Sequence, residues 1–581
     1  MSAIRRGHSA GGVIQLSDVT TRDRRRNPRR SDSGRTCPPV AWWEVGVVAT
    51  SVAYFVTMAC LWLSRPGLFM DETNFVDAAL GGHFRHQLFV YQRIAGVPVL
   101  IIQYIGTLKA AFFAPIFATW GVSVSTIRIP VIVLSAVTLV LAFLVGREVV
   151  GRWSVVLVVV MATCPTFIFM SKVDWGPIVI AMLLTMVLLL AFFRYLAGGG
   201  IGWMWAFVVI ALAGVFDKQN FLWIIIAVGV GAATLYPRQL RQRVSERPRA
   251  AFFAVATFLA CLVLFGLVFV LPNLSANGAS SLQNPIPKFG LAWGLLERTL
   301  GYSAVIEFFT GRSIRQPAWM DLQWMFSLAA FAILGLRRLK GPLDEAAAPS
   351  ARAAAFFVIV LAVMIVEVAA TKQATGPWHV IELLPYPTLV LLCSLAAVWR
   401  SGTSFRIAIV ATAIGGLGLI MSAQAVSTAQ YVSLMRNPSQ FQSFFSPALY
   451  RDAAFLNQNA GGADEVVSGG WGPGAPLFAL SCAADRPKYR DDLWQRLAHV
   501  TTATAPATMR KLFGDRRILL VSVDNPDDSD LPTDLRSDTG LLVTAYVSAF
   551  PDRHPQRILT TRAYDVTYFG PQPFQGGRSD C

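Results

Sequence analysis

AWWEVGVVATSVAYFVTMACLWLSRPGLFMDETNFVDAAL, residues 41–80, joins a long apolar run to an acidic turn. From Ala41 to Leu63 the only charged side chain is Glu44. A helix of roughly 20 apolar residues is long enough to cross a bilayer, so this run reads as a membrane span. Asp71, Glu72 and Asp77 follow it directly. What those acids can do depends on the side of the membrane they face, and that is read from charge along the rest of the chain.

The 581 residues are 54% hydrophobic and 14% charged. That balance excludes a soluble globular protein and indicates a bundle of membrane helices with a polar annex. The length rule gives about eleven spans: 41–63, 127–145, 153–170, 177–193, 203–216, 221–235, 251–271, 319–336, 354–370, 380–399 and 405–427. The expected fold is a multi-span α-helical membrane protein with a small C-terminal extracytoplasmic α/β domain. Residues 1–40 form a basic tail, 41–429 the transmembrane domain with a first outer loop at 64–126, and 430–581 the outer domain.

Net charge is +16, and its placement sets the orientation. Arg5, Arg6, Arg22, Arg24, Arg25, Arg26, Arg29, Arg30 and Arg35 precede the first span. Alternate loops then carry Arg147 and Arg152, Arg194, Arg238 through Arg249, Arg337 through Arg352, and Arg400 and Arg406. The intervening loops carry far fewer cations near their membrane edges. This positive-inside pattern puts the N-terminus in the cytoplasm, the acidic first loop outside and, with an odd number of spans, the C-terminal region outside. The Arg-rich tail is a topology determinant rather than a nucleic-acid arm. No cleavable leader precedes the first span, because a polar tail of some forty residues stands before it.

In the C-terminal region, Ala448–Asn459 reads as a helix, and Arg517–Val523 and Leu541–Phe550 as strands. SGGWGPGAP, residues 468–476, follows the strand-like EVV, but Pro473 makes it a Gly/Pro turn rather than a dinucleotide loop. Cys60, Cys164, Cys261 and Cys393 fall in spans, where cysteine fills space. Cys482 and Cys581 share the oxidising side, where a disulfide between them is open. No cysteine or histidine spacing indicates a metal site.

Ionisable groups gather where spans meet the outer face. Arg128 stands in TIRIP, Lys172 and Asp174 in SKVDWGP, Asp217 and Lys218 in DKQNFLW, and His379 and Glu382 in TKQATGPWHVIELLP. A charge at membrane depth costs about 2.5–3.5 kcal/mol on insertion scales, so such groups are partnered or functional. Taken singly, each is a loop residue or half of an ion pair, and Asp71-Glu72 could simply cap a surface helix. Together they outline an outward site with carboxylates to take a proton and cations to hold an anion. That mixture suits transfer of a sugar from a lipid phosphate: a carboxylate deprotonates the acceptor hydroxyl, and a cation neutralises the departing phosphate.

The ordered set MDE, YIGTLKAAFFAPIFATWGVSVSTIRIP, SKVDWGP, FDKQNFLW and GPWHVIELLPYP resembles the GT-C superfamily of polyprenyl-phosphate-sugar glycosyltransferases. That superfamily includes the protein O-mannosyltransferases and the lipid A aminoarabinose transferase, and the likeness is nearest to bacterial glycosyltransferase family 39-like membrane proteins, over roughly residues 40–400. The resemblance implies an inverting transferase with a polyprenyl-phosphate-sugar donor, Asp71 as the catalytic base and Glu72 completing the acidic pair. It also implies Arg128 at the carrier phosphate. Lys109, Lys172, Asp174, Asp217, Lys218 and His379 are further candidates for binding substrate or phosphate. Some members hold a divalent metal with acids of two outer loops, here Asp71 and Asp174, but none is expected for a monophosphate donor. A transporter or flippase of lipid-linked glycans is the alternative; its internal repeats and midplane charges are not found. A non-catalytic assembly protein is the third reading.

Overall fold

A computed structural model describes residues 39–81, 90–271, 284–313, 322–339, 347–371, 376–401, 406–442, 445–468, 474–480, 489–490, 504–522, 539–561 and 564–576. Helix α1 (Trp42–Cys60) is the first span. The segment after it holds two single-turn helices, α2 (Met70–Thr73) and α3 (Val76–Ala79). A small antiparallel sheet of β1 (Gln92–Ile94), β2 (Val97–Ile102) and β3 (Ile105–Gly106) follows, then α4 (Leu108–Trp120). The first loop is thus folded rather than slack.

The bundle continues through α5 (Val124–Val150), α6 (Ser154–Ala162), α7 (Pro165–Lys172), α8 (Ile178–Leu196), α9 (Ile201–Asp217), α10 (Phe221–Leu235), α11 (Pro237–Glu246) and α12 (Pro248–Phe265). Gly151 at φ +66° reverses the chain between α5 and α6. The return is so close that a Cβ on Gly146 would stand 2.8 Å from the Ser154 Cβ. Further helices are α13 (Phe289–Leu300), α14 (Ser303–Thr310), α15 (Leu322–Leu339), α16 (Ala348–Ala370), α17 (Pro385–Arg400) and α18 (Arg406–Arg436).

Among the described residues, seven helical runs are long and apolar enough to cross a membrane: Trp42–Cys60, Val124–Ala162, Ile178–Leu196, Pro248–Val270, Ala348–Ala370, Ile381–Arg400 and Val410–Arg436. The pair α10 and α11 makes an eighth if counted as one span, with a 97° bend. The expected eleven exceed this number for physical reasons. The second expected span and half of the third lie in one run folded at Gly151, and the third is broken at Pro165. The fifth and eighth fall on shorter apolar helices.

The C-terminal region forms a mixed sheet in the order β5-β4-β6-β8-β7, from β4 (Glu465–Ser468), β5 (Tyr489–Arg490), β6 (Ile518–Ser522), β7 (Gln556–Thr560) and β8 (Asp565–Phe569). Strand β4 runs parallel to β5 and β6, whereas β6/β8 and β8/β7 are antiparallel. Side chains alternate across it, as a strand requires. Ile518 and Leu520 face a core with α21 (Ala505–Phe513) and α22 (Thr539–Ala549). Leu519 and Val521 belong to the opposite core, which takes in α19 (Leu449–Asn459), α20 (Gly474–Leu480) and also Leu68, Met70, Phe75 and Val76 beside Asp71. The first loop and the C-terminal sheet therefore share one apolar core.

The helix expected at 448–459 and the strand at 517–523 are present as α19 and β6. Leu541–Phe550, read as a strand, is instead helix α22. Its buried positions Leu542, Ala545, Tyr546 and Ala549 recur at helical spacing, and the β-branched residues between them disguise that period. Cys482 and Cys581 lie outside the described residues.

Candidate active site

Helix α2 starts at Phe69, whose N–H donates to Glu72 Oε2 at 3.1 Å. Glu72, not Asp71, therefore caps the turn. Glu72 also receives Arg128 in a two-pronged pair: Nε donates to Oε1 and Nη2 to Oε2, each at 2.8 Å. Nη1 of the same guanidinium donates to the carbonyls of Leu63 (2.6 Å) and Pro66 (2.9 Å), and Nη2 to that of Gly67 (3.3 Å). All five N–H donors of an arginine are thus occupied, and the side chain is wholly buried. Arg128 is a clamp on residues 63–72 here, whereas the resemblance placed it at the carrier phosphate.

Asp71 emerges from this clamped turn part-exposed, while Glu72, Asp174, Asp217 and Glu382 are all buried. Asn74 Nδ2 donates to Asp71 Oδ1 at 3.3 Å. The Asp71 carbonyl accepts the Gly176 N–H at 3.2 Å, and Gly176, at φ +72°, makes the turn that permits it. Lys109 Nζ donates to the Gly176 carbonyl at 2.8 Å and pairs with Asp174 at 2.8 Å. Asp174 Oδ1 in turn accepts the Val179 N–H at the start of α8. Four expected residues, Asp71, Lys109, Asp174 and Lys218, are electrically coupled here. Burial pushes the Asp71 carboxyl up to about 6, while Lys109, Lys218 and a hydrogen bond from the Trp175 side chain draw it back. Burial likewise raises Asp174, against the pull of Lys109.

Lys218 follows α9 and lies 4.0 Å from Glu382 Oε1. Among the described residues neither oxygen of Asp217 has a hydrogen-bond partner, although the carboxyl sits within the field of Asp174, Lys109, Lys218 and Glu382. His379 is near Lys218; burial first, then that charge, pushes its imidazole down to about 3, so it is neutral at ordinary pH. Lys172 goes elsewhere. Its Nζ donates to Tyr431 Oη at 3.1 Å and to the Leu61 and Trp62 carbonyls at 3.5 Å, a fully enclosed setting that ties α7 to α1 and α18.

Three participants were not singled out as site residues by sequence. Trp175 stacks flat on Trp378, with centroids 4.4 Å apart and planes at 2°, and packs 4.6 Å from Phe69. The pair makes a stiff aromatic wall beside Asp71. Glu382 was noticed in its motif but not as the partner of Lys218; GPWHVIELLP, with a lone acid at the start of an apolar run, held that signal. Among the described residues no group of three His, Cys, Asp or Glu side chains is arranged to hold a metal ion, and Asp174, one half of the metal pair considered, is engaged by Lys109.

No protein-family model matches the chain, and no curated protein matches it. Solved structures do. The crystal structure of ArnT from Cupriavidus metallidurans in the apo state aligns at a TM-score of 0.53 with 10% identity, over 91% of this chain and 99% of that one. The same protein bound to undecaprenyl phosphate aligns at 0.52, again with 10% identity and the same coverage. The chain shares the fold of ArnT. The archaeal oligosaccharyltransferase AglB from Archaeoglobus fulgidus, in complex with an inhibitory peptide and a dolichol-phosphate, aligns at 0.49 with 12% identity, over 82% of this chain and 69% of that one.

Proposed function

We propose that this chain is an inverting glycosyltransferase that moves a sugar from a polyprenyl-phosphate carrier to an acceptor of the cell envelope. The observation that carries the reading is Asp71: it is part-exposed amid buried charges, on a turn held from behind by the Glu72–Arg128 clamp. Its likeness in fold to a protein solved with undecaprenyl phosphate supports a lipid-phosphate donor. Asp71 takes the proton of the acceptor hydroxyl as that oxygen bonds to the anomeric carbon. The bond from that carbon to the phosphate oxygen breaks on the opposite face, and polyprenyl phosphate leaves with the electron pair. Lys218, whose carboxylate partner stands at 4.0 Å, is the cation best placed to meet the developing charge, in the role first expected of Arg128. The Trp175–Trp378 wall gives the sugar a flat apolar surface. The protein crosses the cell membrane several times, with the N-terminus in the cytoplasm and both Asp71 and the C-terminal sheet outside.

The test is a comparison of cells carrying the native protein with cells carrying Asp71→Asn. A missing glycan decoration, together with accumulation of its lipid-linked sugar on the outer leaflet, is the expected result. Accumulation of the same lipid on the inner leaflet would instead assign a flippase, and unchanged profiles would remove Asp71 from the chemistry.

A further inference from the structure

The β1–β2 hairpin, QRIAGVPVLI at residues 92–101, turns through Ala95 and Gly96, both at positive φ (50° and 84°). Two consecutive positive-φ residues suit the twist of a two-residue hairpin. Its tip is unusual in chemistry. Ile94 and Val97 flank the turn at 46% and 62% exposure, where a hairpin in water carries polar or charged groups to protect its edge. Arg93 lies beside them and donates to the Gly96 carbonyl at 3.1 Å.

The hairpin is fixed beside a lipid-facing helix. Gln92 Nε2 donates to the Val268 carbonyl at 3.4 Å, in the π-helical last turn that continues α12 to Val270. The helical run ending there exposes Phe252, Phe253, Leu259, Val263, Leu264 and Leu267, which is how a span presents itself to lipid. Val268 lies in the last described turn of that run. The other end of the same sheet reaches the site. Ile105 bridges to Lys218, the Gln219 N–H donates to the Tyr104 carbonyl at 3.0 Å, and a Cβ on Gly106 would stand 2.1 Å from the Phe216 carbonyl oxygen.

We propose that the β1–β2 hairpin seats Ile94 and Val97 in the headgroup region of the bilayer beside α12, forming a lipid-anchored lip next to Lys218. The occupant of this apolar tip is the phospholipid leaflet, because the tip continues the lipid-exposed surface of α12. Arg93 suits the same place, since a long cationic side chain buries its stem and extends its head to lipid phosphate. The inference goes beyond the transfer reaction and does not depend on it.

The experiment uses the full chain in nanodiscs of phosphatidylethanolamine and phosphatidylglycerol. Nitroxide labels go on Ile94→Cys and Val97→Cys, with the signal of the unsubstituted protein subtracted. Collision with oxygen is compared with collision with a water-soluble nickel chelate. Val263→Cys supplies the lipid reference and Arg516→Cys the water reference. Both tip residues are exposed, so neither substitution opens a core. Labels at 94 and 97 are expected to give an oxygen-over-nickel preference between those of the Val263 and Arg516 labels. A preference like that of Arg516 would overturn the proposal by placing the tip in water. Exclusion of both reagents would overturn it in favour of a protein contact.

Discussion

Asp71 and Arg128 show how far single residues could be read. The charges at span ends drew attention to Asp71, Asp174 and Lys218 and the family resemblance to Lys109, and these four do come together. Sequence could not say where the five N–H groups of Arg128 go, because their acceptors are main-chain carbonyls and a carboxylate brought near only by folding. Asp71 does not cap α2, so Asp71→Asn leaves the turn intact and removes the proposed base. Transfer is expected to fall by about 10²–10⁴, as loss of a general base does, at unchanged protein level. A general base works only when ionised, so with Asp71 in that proposed role a carboxyl near 6 makes the transfer rate drop as pH falls through about 6. Replacing Lys218 by Met removes a charge that holds that value down, and should move the acid limb upward. A pH–rate profile of both proteins checks this; an acid limb that stays in place after Lys218→Met would show that Lys218 does not act on the base. For Arg128, removing one partner of a buried pair costs about 3–5 kcal/mol. Arg128→Ala is therefore expected to lower the amount of folded protein, and Arg128→Met with Glu72→Gln to recover much of it. Normal yield of Arg128→Ala with a raised donor KM would return Arg128 to phosphate binding.

Among elements, the long apolar runs were readable because an uninterrupted apolar stretch of roughly 20 residues has one stable answer in lipid, a helix. Breaks inside them were harder: Gly151 and Pro165 end helices within what reads as nearly continuous hydrophobic sequence. The sheet at 92–106 was missed because a short strand pair has too few residues to show its period. A turn at the heart of the site depends on another such local detail. Gly67 donates its N–H to the Phe445 carbonyl at 2.7 Å, and a Cβ there would stand 2.5 Å from the Ser446 carbonyl oxygen. Backbone cannot yield as a flexible side chain does, so Gly67→Ala must part residues 65–72 from 445–446. Overpacking of this kind costs about 1–3 kcal/mol. Because Asp71 rides on that segment, kcat is expected to fall more than thermal stability alone explains. Parallel melting and turnover measurements decide: a lower melting temperature with native turnover below it would mean that the contact is merely structural.

At the scale of the whole molecule, the charge pattern along the chain proposes an orientation, while the core shared by Leu68–Val76 with the C-terminal sheet was invisible to sequence. That core joins positions about 390 to 500 residues apart, and apolar periodicity says only that a face is buried, not against what. The shared core has a consequence for topology. The sheet must lie on the same side of the bilayer as Asp71, while the Arg-rich α11 follows α10 after a sharp bend at the opposite end of the preceding helix. Arg516 and Arg241 are both exposed, so each can carry a label without disturbing packing. In intact cells a membrane-impermeant thiol reagent is expected to modify Arg516→Cys and to leave Arg241→Cys untouched until the membrane is opened, each compared with the unsubstituted protein. The reverse pattern would place Asp71 in the cytoplasm, where a nucleotide-sugar donor is available and a lipid-linked one is no longer required. Equal labelling of both sites in sealed cells would contradict the alternation of cationic loops on which the orientation rests.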